Sequence, residues 1–153
     1  MISIKYLFEL VSYTDDVNDV YDIESKFTDQ EKKMTGGRSF YDPSEFRRIL
    51  KEDDKPVAYL EARIHHNIAK INIGVHPKFR RKNYMEKLLK QSIKELKQIG
   101  VNKIIAMVHE DNIKSNNFFI KFDFIRITNK NKLKSFRFYE KNHNYYELNL
   151  KKV

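Results

Sequence analysis

A mixed α/β fold is predicted here, of the α+β kind: a central, mostly antiparallel sheet of about seven strands with about four helices against it. Strict alternation at 57–65 marks the clearest strand, with Ala58, Leu60, Ala62 and Ile64 on one side and Tyr59, Glu61 and Arg63 on the other. A stripe of Tyr84, Leu88, Leu89, Ile93 and Leu96, with lysines opposite, marks a helix at 84–98 between two apolar strand signals. The 153 residues, 41% hydrophobic and 13% aromatic, are enough to bury the core of one domain spanning 1–153, and no linker divides them.

The other elements follow in order. Residues 3–11 alternate loosely and read as a first strand. Thr14 can cap a helix over 15–27, with Asp15 and Asp16 in the first turn where carboxylates suit the dipole. The stretch 28–41 contains Gly36-Gly37 and has no strong period, and Asp42-Pro43-Ser44-Glu45 reads as one capped helical turn. Residues 46–51 form a strand, 53–56 a turn, 57–65 the central strand and His66-Asn67 the next turn. Ile71, Ile73 and Val75 define another strand, in which Gly74 signals a bulge or the close approach of a ligand. Gly100 closes the helix at 84–98 in the left-handed role, and 101–108 is apolar enough for a buried strand. A helix at 112–122 and a strand at 124–128 come next. Residues 129–135 are polar and basic, and 136–139 pairs with 145–150 as a terminal hairpin.

Composition narrows the function classes. The absence of cysteine excludes disulfides and thiolate metal sites and fits a reducing compartment. No apolar run approaches the ~18 residues that span a bilayer, and the N-terminus lacks a basic region followed by an apolar stretch, so a cytoplasmic location and no membrane partner are expected. No metal is expected either: His65 and His66 are adjacent, project to opposite faces of a strand, and have no third ligand at suitable spacing. The net charge of +9 is uneven, with 11 Lys/Arg against 14 Asp/Glu in residues 1–77 and 19 against 7 in residues 78–153. A basic half suits phosphate or nucleic acid, and an acidic half suits a cationic acceptor.

The most informative segment is Val75-His-Pro-Lys-Phe-Arg80-Arg81-Lys82-Asn83-Tyr84-Met85. An apolar strand ends, Pro77 stops its ladder, and three cations lead into a helix N-terminus. Its first-turn N–H groups lack intrahelical partners, and the dipole adds positive potential, so the segment is built for an anion such as a pyrophosphate.

These residues resemble the first motif of the GNAT superfamily of acetyl-CoA-dependent N-acetyltransferases, a strand ending Val-x-Pro-x-x-Arg and then Arg/Gln-x-x-Gly-x-Gly/Ala opening a helix. The family's second motif, Asn and then a helix ending Gly-Phe, is matched by Asn112-Ile-Lys-Ser-Asn-Asn-Phe-Phe119-Ile-Lys-Phe-Asp123-Phe124. The resemblance covers about 46–127. Asn83 and Met85 stand where the family has loop glycines, Asp123 stands at another glycine, and Phe119 takes the place of the tyrosine that usually protonates the thiolate. Asn83 can keep the turn, because Asn tolerates left-handed backbone, and Met85 is expected to point into the core.

The resemblance implies acetyl-CoA as cofactor and direct transfer to a primary amine of a small molecule or a protein. Gly74 and Val75 would face the thioester, and the stretch Arg80, Arg81, Lys82, Asn83, Tyr84 and Met85 would cradle the pyrophosphate. Asn112 would contact the pantetheine arm, and Phe119 would pack beside the sulfur. Glu61, His109 and Glu110 are the candidate general bases, and Tyr145 or Tyr146 could supply a proton. Asp15, Asp16, Asp19, Asp22 and Glu24 would line an acidic acceptor wall. Two other classes stay open. One is a degenerate module that holds acyl-CoA without turnover. The other, less favoured, is an RNA-binding protein using Phe136, Arg137, Tyr139, Tyr145 and Tyr146. A homodimer also stays open.

Overall fold

The computed structural model describes residues 11–34, 45–80, 83–137 and 139–151. Its elements are β1 (Val11–Thr14), α1 (Val17–Ser25), α2 (Asp29–Met34), β2 (Phe46–Glu52), β3 (Lys55–His65), β4 (Ile68–Val75), a 3-10 turn (Pro77–Phe79), α3 (Tyr84–Gln98), β5 (Lys103–His109), α4 (Ile113–Lys121), β6 (Ile125–Arg126), α5 (Lys130–Ser135) and β7 (His143–Asn149). The strands make one seven-stranded sheet in the order β1-β2-β3-β4-β5-β7-β6, antiparallel throughout except between β4 and β5. The expected mixed, mostly antiparallel fold is therefore present.

Local chemistry explains the meander. Asp53-Asp54 and His66-Asn67 hold positive φ (50° and 64° in each pair), as two-residue hairpin turns between twisted strands require. In that turn the rings of His65 and His66 pack edge to face at 4.0 Å, rather than projecting to opposite faces as expected. Helix α1 is capped by Asp16, whose side chain accepts from Asn18 N–H at 2.9 Å, two residues beyond the expected Thr14. It lays Val20, Ile23 and the following Phe27 on Ile49 and Tyr59. Helix α3 spans the expected residues and buries Tyr84, Leu88, Leu89 and Leu96 on the other sheet face, each buried Leu contributing roughly 1.5–3 kcal/mol. Gly100 ends it at φ 97°, a left-handed position that a Cβ would strain.

The sheet thus has two covered faces. Helices α3 and α4 pack on one, together with Leu60, Ile71, Ile104 and Phe119. On the other, α1 lies over Tyr59 and Leu133 of α5 packs against Ile105 and Tyr145.

Two expectations fail, and one element was not foreseen. Among the described residues, 136, 137 and 139 do not pair with β7, because β5 and β6 occupy both of its edges. The polar stretch 129–135 forms α5, capped by Asn129, whose side chain accepts from Lys132 N–H at 3.1 Å. The β3–β4 register runs unbroken through Tyr59 and Gly74, so Gly74 makes no bulge; a register shift occurs instead at Leu50/Lys51 of β2. Residues 3–10 of the strand expected at 3–11, and 42–44 of the turn expected at 42–45, lie outside the described residues. Among the described residues no helix is long and apolar enough to cross a membrane.

Candidate active site

Strands β4 and β5 pair in parallel only from Ile68/Lys103 to Ile71/Ala106. Beyond that β4 runs on to Val75 and β5 to His109 without pairing, so a fork opens between them. His76 N–H donates to Val57 O at 2.7 Å across β3. Successive strand amides alternate sides, so the N–H groups of Val75 and Ile73 point the other way, into the fork. A groove of about 290 Å³ fills the fork, lined by Ile73, Gly74, Val75 and residues of α2, α3 and α4.

At one end stands the N-terminus of α3. Asn83 takes the left-handed conformation (φ 59°, ψ 23°), as anticipated for a residue at a glycine position, and its side chain makes no cap. The first-turn amides of a helix lack intrahelical partners, and here Asn83, Met85 and Glu86 border the groove. The site suits an anion. Met85, expected in the loop with its side chain toward the core, lines the groove and packs on the core. The Tyr84 side chain is buried, and burial followed by a hydrogen bond to Glu52 holds its phenol well above the ordinary range. Arg81 and Lys82 lie outside the described residues.

Arg80 reaches back to β4, donating from Nε to Val75 O at 3.4 Å. Its guanidinium also pairs with Glu31 and lies 5.5 Å from the centre of the Phe27 ring. Phe27 and Glu31 both line the groove, although neither was among the expected site residues. A readable signal was there: Thr28-Asp-Gln-Glu31 is a capping box, with Glu31 N–H donating to Thr28 Oγ1 (3.1 Å) and Thr28 N–H to Glu31 Oε1 (2.8 Å). Burial alone would raise the Glu31 pKa. The hydrogen bond from Thr28 and the charge of Arg80 outweigh it and hold the carboxyl below its ordinary range.

Helix α4 forms the opposite wall. Asn112 caps it, its Oδ1 accepting from Ser115 N–H at 3.3 Å, and lies on the groove. One turn on, buried Asn116 donates to His109 O (3.1 Å) and Asn112 O (2.8 Å) and accepts from Asn144 Nδ2 (2.9 Å) and Tyr146 Oη (2.5 Å). All four capacities of one amide thus tie β5, α4 and β7 together behind the fork. Phe119 does not reach the groove: it is 3% exposed and packs on Phe124 and Tyr146. Its neighbour Phe118 lines the wall instead, with Lys114 and Lys121.

The three candidate bases are not gathered at the groove, and none lines it. Glu61 is 2% exposed on β3 and takes the Arg47 Nε at 2.8 Å. His109 Nδ1 accepts from Asp111 N–H at 3.1 Å, its ring packs against His143, and Glu110 is exposed beside it. Tyr145 and Tyr146 are buried, with hydroxyls engaged by Glu140 N–H and Asn116. The acidic residues before and within α1 have structural tasks: Asp16 caps, Asp19 pairs with Lys51 at 3.3 Å, and Glu24 accepts from Tyr59 Oη at 3.1 Å. Asp15 and Asp22 are exposed. Among the described residues no three His, Asp or Glu side chains gather as a metal site.

A fork with inward N–H groups, ending at a helix N-terminus, can hold a long anionic ligand and polarise a carbonyl. A family model described as the acetyltransferase (GNAT) family matches residues 11–124. The fold is similar to the ribosomal-protein-S18-alanine N-acetyltransferase from Escherichia coli, with TM-score 0.63 at 18% identity over 90% of each chain. A GNAT-family acetyltransferase from Staphylococcus aureus Mu50 gives TM-score 0.72 at 12% identity over 92% of this chain and 99% of that one. The PaiA N-acetyltransferase from Thermoplasma acidophilum, solved in complex with coenzyme A, gives 0.68 at 13% identity over 91% and 98%. No curated protein matches the chain by sequence.

Proposed function

The chain belongs to the GNAT acetyltransferase family, and we propose that it transfers an acetyl group from acetyl-CoA directly to a primary amine of a small molecule or a protein. The observation that carries this reading is the single groove joining the open β4–β5 fork to the N-terminus of α3.

Acetyl-CoA supplies the acetyl group as an activated thioester. The amides of Ile73 and Val75 are fixed dipoles aimed where its carbonyl oxygen gains charge. The α3 first turn, from Asn83 to Glu86, and Arg80 hold the pyrophosphate, with Arg81 and Lys82 adding charge. Lys114 and Lys121 add positive potential from the facing wall. Asn112 borders the pantetheine arm, and Phe118, rather than the buried Phe119 expected beside the sulfur, is the phenylalanine on this wall. In the transfer a C–N bond forms and the C–S bond breaks. The amine gives up one proton to solvent water, and the sulfur leaves as thiolate, which takes a proton from water; thiol pKa values near ~8.5 let it depart without a side-chain acid. Positioning and charge stabilisation carry most of the rate.

A second reading, a module that holds acyl-CoA without turnover, is favoured by one observation: Glu61, His109 and Glu110 are all away from the groove. Calorimetric titration with acetyl-CoA tests both, run with wild type and with Arg80→Ala/Arg81→Ala. Micromolar binding lost in the variant supports the groove assignment, and no binding to wild type overturns both readings. Release of free thiol that requires an added amine, in a screen of polyamines, aminoglycosides and peptides, supports the transferase. Tight binding with no turnover across that screen supports the module.

A further inference from the structure

A second cavity, of about 500 Å³, lies on the α5 side of the sheet, away from the fork. Arg126, Lys130, Lys134 and Lys141 rim it, Leu133 and Tyr139 form part of its wall, and among the described residues no carboxylate lines it. Other cations of the fold do meet acids: Lys132 and Lys103 share Glu147 (2.8 and 3.6 Å), and Arg48 meets Glu95 at 3.1 Å. Around this cavity Arg126 donates only to the neutral Asn144, at 2.7 Å. Among the described residues Lys130, Lys134 and Lys141 pair with no carboxylate. Lys130 and Lys134 stand four apart on one helix, where like charges repel. Four cations around one concavity concentrate positive potential that an anionic ligand would relieve.

The aromatic wall narrows the ligand. Tyr139 is 37% exposed and stacks on buried Tyr145 at 5.9 Å with the rings 20° apart. Tyr145 is itself fixed, its hydroxyl accepting from Glu140 N–H at 2.6 Å. Tyr139 therefore offers an aromatic face, backed by Tyr145, beside the lysines. A flat ring flanked by cations is what a nucleotide needs, with the base on the aromatic face and the phosphate on the charges.

We propose that this pocket binds a nucleoside phosphate, with the base against Tyr139 and the phosphate among Lys130, Lys134 and Lys141. The site differs from the one outlined at sequence level, since Tyr145 and Tyr146 are buried and cannot stack on bases. It does not rest on the acetyltransferase reading.

The chemistry has two sources, a free nucleotide or a single-stranded RNA. The test is fluorescence anisotropy with a labelled oligouridylate, competed by ATP, without acetyl-CoA, whose own adenosine phosphate would compete for the pocket; Arg80→Ala/Arg81→Ala controls for binding at the fork. The proteins are wild type, Lys130→Ala/Lys134→Ala, and Tyr139→Leu, which keeps apolar packing on Tyr145. The lysine variant should bind at least tenfold more weakly, and the tyrosine variant about tenfold more weakly. Acetyl-CoA affinity should be unchanged in both. If a strand is the ligand, log K falls with log salt, and the lysine variant flattens the slope by about 0.7 for each phosphate it no longer neutralises. If free nucleotide is the ligand, ATP binds with a shallow salt dependence and displaces the strand. The proposal is overturned if neither ligand binds at about 50 mM salt, or if both variants bind as wild type does. Displacement by polyglutamate as readily as by the strand would also overturn it, because the pocket would then read charge alone.

Discussion

Gly74 has a different task from the one its position suggests. A Cβ there would lie 2.5 Å from Tyr59 Cε1 and 2.7 Å from its hydroxyl, so the close neighbour is a side chain of the adjacent strand. That ring is fully buried and held by Glu24, so it cannot swing aside cheaply. Gly74→Ala should lose about 1–3 kcal/mol in urea denaturation, as overpacking does. In a Tyr59→Leu background the penalty should shrink; an undiminished penalty would place the strain elsewhere. Glu31 makes the second residue-scale case. Its carboxylate holds the Arg80 guanidinium that the proposed pyrophosphate needs. Glu31→Gln keeps an acceptor for the capping box but removes the charge. Partly exposed ion pairs are worth about 0.2–1 kcal/mol, so acetyl-CoA should bind about 1.5- to 5-fold more tightly to the variant by calorimetry. His76 gives a pH dependence. Its Nδ1 accepts from Lys78 N–H at 3.1 Å, which requires a neutral nitrogen, and burial, then Lys78, lower its pKa from 6.5. The folded state therefore binds this proton less readily than the unfolded chain does. The His76 contribution to stability is present above pH 6.5 and is lost as pH falls below it. Denaturation between pH 7 and 5 should show that loss, and His76→Asn, which caps without titrating, should flatten it.

At the scale of elements, α4 shows how a wall of the groove is held. Asn116 satisfies acceptors and donors on three elements while almost wholly buried. Asn116→Leu should cost about 2–4 kcal/mol, because it strands several buried partners at once at ~1–3 kcal/mol each. The loss of Asn112 positioning should show as weaker acetyl-CoA binding under conditions where the variant is still folded; wild-type affinity would sever that link. Nothing in Ser115-Asn116-Asn117 distinguishes the buried amide from its exposed neighbour, so this clamp was not legible in the sequence. Strand β3, strand β4, helix α3 and the Asn112 cap were legible, because long runs with one period and a defined stop leave little choice. Helix α5 was not: Leu133 is its only apolar residue, and tertiary contact with Tyr145 supplies what periodicity cannot. The terminal hairpin misled for a related reason. Consecutive Tyr145 and Tyr146 fit an edge strand with one wet face, yet both are buried because β7 lies inside the sheet, covered on both faces. Helix α2 carried its capping-box signature but is only six residues long, too short to show a period.

The whole molecule is a sheet joined at its middle by four residue pairs between β4 and β5. On one side lie β1 to β4 with α1 and α3; on the other lie β5 to β7 with α4 and α5. The groove draws its walls from both sides, so a ligand that fills it completes a junction the backbone leaves open. Two consequences follow if acetyl-CoA is that ligand. Mass action stabilises the fold by about 2.7 kcal/mol at one hundred times the dissociation constant, which for a chain of this size raises Tm by roughly 5–11 °C. More discriminating is where the protection falls. Amides of Ile73 and Val75 face the fork without a strand partner, and the α4 first turn closes it from the other side. Hydrogen exchange should therefore slow on both sides together, at 73–75 and 112–115, while β1 and β2 change little. Protection confined to the α3 end would mean that the ligand is held by its phosphates alone and does not bridge the fork, and the transferase reading would lose the placement of its carbonyl.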